Sequence, residues 1–118
     1  MSSIKPFRAV HYNPEKIKDF RKVVCPPYDV ISEEEQDQLH QLSPHNFIHI
    51  LLGKDISGDD KANNKYSRAR EIFQNWIKDG ILIQDENPAI YFYRQEYKAE
   101  GQKYSRLGFV SLMELQDE

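Results

Sequence analysis

The hydrophobic positions of this chain recur with two different periods, and those periods divide it into helical and extended stretches. Residues 4–12, "IKPFRAVHY", carry Phe7, Ala9 and Val10 among polar neighbours and read as a short strand or extended segment. Asn13-Pro14 reads as a helix start, with Asn as the cap and Pro at the first helical position. The turn or short helix that follows ends near Phe20. Residues 23–30, "VVCPPYDV", read as extended, because each proline fixes its own φ and pushes its predecessor out of the helical region. Ser32 and Glu35 make a capping-box pattern, with Glu33, Glu34 and Glu35 where a helix dipole favours negative charge. This helix is expected to run to about Leu42, where Ser43-Pro44 ends it.

Residues 47–52, "FIHILL", form an apolar run closed by Gly53 and read as a buried strand. "GKDISGDDKANN" is polar, holds two glycines and reads as a loop. The clearest periodicity predicts a helix over about 60–79. Tyr66, Ala69, Phe73 and Trp76 recur at helical spacing, and Trp76, Phe73, Ile72 and Ile77 are expected to be buried together. Gly80 is placed to end that helix in the left-handed conformation. Residues 81–83 are briefly apolar and 85–88 read as a turn. Residues 89–97 and 103–112 read as two strands of a hairpin around "AEGQ". The fold class expected is α+β: a mixed sheet with a C-terminal hairpin and two main helices packed against it.

Composition narrows the picture only a little. The 118 residues suffice for one domain with one modest core. At 39% apolar and 30% charged, the chain has an ordinary globular composition. Its net charge of −3 gives no support to general nucleic-acid binding, which needs a basic face. Cys25 stands alone, so no internal disulfide forms, which fits a reducing cytoplasm. The first sixteen residues lack the apolar core of a signal peptide, and no stretch approaches a membrane span.

Most candidate chemistry has a simpler reading. Cys25 lacks the signature of a catalytic thiol and reads as a small packed side chain. His45 and His49 have the spacing of a helical metal pair, but on a strand they would lie about 13 Å apart, too far to share an ion. No metal is therefore assigned. Glu33 to Glu35 are explained by capping, and Asp55, Asp59 and Asp60 lack the spacing of a calcium hand. Gly53-Lys54 is not followed by Ser or Thr, so it is no phosphate loop. Tyr91, Tyr93 and Tyr97 could stack bases, but read as one packed face of the hairpin. "PPYD" stands apart, because two prolines present Tyr28 and Asp29 rigidly. That suits a cleft edge, and equally a structural corner in which Asp29 takes backbone N–H bonds.

Taken in order, "IKPFRAVHYNPEK", "CPPYDVISEEE", "LSPHNFIHI" and "YSRAREIFQNWIKDGILIQDENPAIYFYRQEY" resemble the start of bacterial and archaeal proteins in domain-of-unknown-function family 1015. The resemblance covers nearly the whole chain; one turn departs, reading Ser43-Pro44 where the family has Asn-Pro. Family members are far longer, so residues 1–118 look like a single N-terminal domain or fragment. The longer proteins carry a downstream Asp-Gly-His-His-Arg-like motif similar to the phosphate-site element of the ParB and sulfiredoxin superfamily. No Gly-His or His-Arg pair occurs here. The resemblance implies two functions for the full-length protein. One is a cytoplasmic nucleotide-binding phosphotransferase, taking ATP or ADP with Mg and acting on a small metabolite. The other is a non-catalytic ParB-like module that binds nucleotide or nucleic acid. In the first, Tyr28 and Asp29 sit at a cleft edge with His45 and Asn46 near the next turn, and the isolated segment is inactive.

Overall fold

A computed structural model describes residues 3–115 of the chain. Helices and strands are both present and largely segregated, so the class is α+β. The elements are β1 (Ile4–Lys5), β2 (Val10–Tyr12), α1 (Glu33–Leu42), α2 (Ile48–Leu51), α3 (Lys65–Lys78), β3 (Leu82–Gln84), β4 (Tyr91–Ala99), β5 (Gln102–Val110) and β6 (Leu112–Met113). The strands are divided among three two-stranded pairs, β1 with β6, β2 with β3 and β4 with β5, rather than gathered in one mixed sheet. The backbone separates into two compact units. Among the described residues one comprises 11–83, the other 3–10 and 84–115.

The unit formed by 11–83 holds the apolar core. Ile17, Val23, Ile48, Trp76 and Leu82 are its buried side chains, and α2 packs against both α1 and α3. The helices thus pack on one another, not on a large sheet. Helix α1 begins where the sequence places it: the Ser32 hydroxyl accepts the Glu35 N–H at 3.2 Å. It ends at Leu42, with Ser43 extended. Gln36 Nε2 and His40 Nε2 both donate to the carbonyl of Leu52, which ties α1 to the end of α2.

Three expectations need correction here. The "FIHILL" run is not a strand: residues 48–51 form a single helical turn. A short apolar run fits either state, and Asn46 decides it. Its Oδ1 accepts the Ile48 N–H at 2.9 Å, satisfying a first-turn donor and starting the helix. Helix α3 starts at Lys65, not near Asp60. Asp60 Oδ1 instead accepts the N–H groups of Ala62 and Asn63, holding a turn, and Asn64 is the true cap, in a reciprocal box with Ser67. The four apolar residues at the end of α3 are not buried together. Trp76 is 6% exposed, but Phe73 and Ile77 are 39% and 40% exposed. Phe73 and Ile77 lie one residue round from the Ala69, Ile72, Trp76 stripe, so they form a second, outward stripe with Tyr66.

The end of α3 follows its sequence signal closely. Gly80 has φ +76°, its N–H donates to Ile77, and the Ile81 N–H donates to Trp76. Both bonds of a Schellman termination are present, and the left-handed φ is the reason for glycine.

In the other unit, β4 and β5 form an antiparallel ribbon with Ala99 opposite Gln102. Glu100 and Gly101 both take positive φ, the turn that matches strand twist. Tyr93 lies over Gly108, where a Cβ would come within 2.3 Å of the ring, so a larger residue there would have to displace the Tyr93 ring. Phe7 pairs with Ala89 and its ring packs on Tyr91, whose hydroxyl donates to Asp85. No side chain among the described residues of this unit is fully buried.

Candidate functional site

The prolines of "CPPYD" restrict themselves and the residue before, not the residues after. Tyr28–Val30 is accordingly a tight helical turn, closed by the Val30 N–H on the Pro27 carbonyl, rather than the extended segment expected. This turn leaves Tyr28 65% exposed. The Asp29 carboxylate is exposed and has no hydrogen-bond or ion-pair partner among the described residues. It therefore does not serve as the backbone-bonded corner that the sequence allowed.

His45 and Asn46 sit elsewhere and are occupied. Asn46 is fully buried. Its Nδ2 donates to the carbonyls of Lys22 and Val24, at 2.8 and 3.0 Å, while Oδ1 holds α2. The ring of His45 packs edge-on against Trp76, and its carbonyl accepts the Tyr12 hydroxyl at 2.7 Å. Burial pushes that hydroxyl up to about 12, the nearby Cys25 adding to the shift. The four residues singled out in the sequence thus do not converge. Tyr28 lines one groove, His45 another beside Lys16 and Asp19, and Asn46 lines none.

The groove beside Tyr28 has a volume of about 270 Å³. Tyr28 and Tyr66 contribute aromatic walls, 50–52 give apolar surface, and Gly53 and Lys65 complete it. A second groove of about 200 Å³ shares Gly53 and Lys65 with the first. It adds Lys54, Arg68, His40 and His49. Gly53 and Lys65 are thus common to the linings of an aromatic groove and a cationic one, and the residues of the two are here taken together as one strip.

The cations of this strip are committed to different degrees. Arg68 makes a two-pronged bond to Asp59, at 2.7 and 3.0 Å, and donates to the Lys54 carbonyl, pinning loop 54–59. Lys54 pairs with Asp37. Among the described residues Lys65 pairs with the exposed Asp55 alone, at 3.8 Å, and its ammonium lies 5.4 Å from the Tyr66 ring centre. A surface pair of that length is weak, so Lys65 is the cation most easily recruited by an incoming anion. Burial lowers the His40 pKa, and its Nε2 donates to the Leu52 carbonyl. His49 donates through Nε2 to Ser43, and the two rings meet edge to face at 4.6 Å.

Sequence reasoning found Tyr28 and missed Gly53, Lys65 and Tyr66. Gly53-Lys54 fails the phosphate-loop pattern, and Tyr66 has the spacing of a core residue yet is 75% exposed. The available signal was the cap at Asn64, which starts the helix at Lys65 and throws Tyr66 outward.

The loop pinned by Arg68 carries a pH prediction. The Arg68 guanidinium, then the Ile56 N–H, hold the Asp59 carboxyl at about 2, below its ordinary 3.8. A carboxylate with a depressed folded pKa contributes stability above its unfolded pKa and loses it as pH falls through the folded one. The Ile56 amide, which donates to Asp59 at 2.9 Å, should stay protected from hydrogen exchange above pH 3.8 and lose protection toward pH 2. In Asp59→Asn the loss should be present at neutral pH. An Ile56 protection factor unchanged by either would contradict the clamp.

Compared with known proteins, the family described as a protein of unknown function, DUF1015, matches residues 4–118. No curated protein and no solved structure matches.

Proposed function

That match makes the chain a member of the DUF1015 family, and we propose that it supplies the nucleotide-binding groove of a phosphotransferase acting on a small metabolite. The observation that carries this reading is the sharing of Lys65 between an aromatic groove and a cationic one. A nucleotide has the same two ends. Its base offers a flat π-face to Tyr28 and Tyr66, and its phosphates offer charge to Lys65. Lys54 and Arg68 are held by acids and supply field more than direct contact. Asp29, beside Tyr28 and unpaired among the described residues, is the group that would orient a substrate hydroxyl or a phosphate-bound Mg²⁺. The net charge of −3 weighs against a nucleic-acid role.

Calorimetric titration of the chain with ADP and Mg²⁺ tests the reading. One ADP should bind per chain, without turnover of ATP. Lys65→Ala and Tyr66→Ala should each weaken binding roughly tenfold while leaving the melting temperature nearly unchanged, as loss of one charge-assisted or stacking contact would. Asp29→Asn should weaken only the Mg²⁺-dependent part. Absence of binding at millimolar ADP, or binding unaffected by Lys65→Ala, would defeat it.

A further inference from the structure

Almost every side chain of the β4–β5 ribbon is exposed. Residues directly opposite one another share a face, so Phe92, Phe109, Arg94, Leu107, Glu96, Ser105, Lys98 and Lys103 project from the same side. Its base is apolar: Phe92 is 82% and Leu107 76% exposed, and the Phe92 and Phe109 rings lie 6.2 Å apart. Its tip is cationic, with Lys98 directly opposite Lys103. Like charges placed so repel, and Glu96, next along the same face, is one acid against two lysines. An isolated two-stranded ribbon is itself marginal in water, so a partner surface is called for.

The chain carries the complement of this face. Glu35, Gln38, Leu39 and Leu42 lie on one side of α1 and with Pro26 line a groove of about 310 Å³. Its Leu39–Leu42 end is apolar, and Glu35 stands at its other end, in the acidic first turn of α1. The spacing corresponds. Leu107 to Lys103 spans about 13 Å of strand, and Leu42 to Glu35 spans about 10 Å of helix, a difference within the reach of a lysine side chain. We propose that the β4–β5 ribbon of one copy docks in the α1 groove of a second copy, Leu107 and Phe109 against Leu39 and Leu42, Lys103 against Glu35. Each copy carries both surfaces, so each can give and receive the contact. This surface is distinct from the Lys65 groove, so either proposal can fail alone.

Sedimentation equilibrium of the whole chain, from micromolar to sub-millimolar concentration, reads the outcome. A dimer weakened by salt is expected. Leu107→Glu, at a position 76% exposed, should leave a monomer with an unchanged melting temperature. Lys103→Glu and Glu35→Lys should each weaken dimerisation roughly tenfold, and the two together should restore it, as paired charges do. A monomer throughout would give the ribbon to a different occupant and overturn the proposal. So would a dimer that Glu35→Lys leaves unchanged, or a double variant that stays as weak as the singles.

Discussion

Trp76→Ala should lower the unfolding free energy by about 3–5 kcal/mol, the usual cost of emptying a large aromatic site in a core. Trp76 is buried in the 11–83 unit. Its ring meets Tyr12 at 6.1 Å and His45 at 5.6 Å, so truncation strips two ring contacts as well as apolar area. The unit has few other buried side chains to close the gap. The neighbouring stripe supplies the control. Phe73→Ala, at an exposed position, should cost about 1 kcal/mol or less. Urea unfolding of both variants measures the difference. Equal losses would mean that the two stripes of α3 share the core after all.

Asn46→Ala should cost about 2–4 kcal/mol, although it removes little apolar surface. The amide satisfies three backbone groups from two segments: the carbonyls of Lys22 and Val24, and the N–H of Ile48. Without it, one donor and two acceptors lose their partner in a site where Ile48 is fully buried. The start of α2 should fray as well, because Oδ1 is what begins that turn. Asn46→Asp should be no better than alanine: a carboxylate keeps the acceptor but faces two carbonyl oxygens. Urea unfolding again decides. A loss under about 1 kcal/mol would show that water takes over the three bonds.

These two residues show what the sequence could and could not reveal. Trp76 was legible, because helical periodicity marks a core face. Asn46 was legible only as a polar residue in a conspicuous motif, and so looked like a site residue; its burial arises from segments 22 residues or more apart in the chain. Local chemistry was read well where one segment decides it, as at the Ser32 cap, the Gly80 termination and the Glu100-Gly101 turn. It was read poorly where a distant contact or a side-chain bond decides between two states. The "FIHILL" run is such a case, and so is the start of α3, where Asp60 and Asn64 compete as caps. The groove was the least legible of all. Its walls come from the turn at 28, the end of α2 and the first turn of α3, and no pattern in any one of them announces the others.

The central claim is that this strip, and not the tyrosine-rich ribbon, receives the nucleotide. Backbone amide shifts followed by NMR during titration with ADP and Mg²⁺ test it directly. The largest changes should fall at Tyr28, Gly53, Lys65 and Tyr66, with residues 91–110 unmoved. Shifts concentrated on 91–110, or none at saturating ADP, would contradict it.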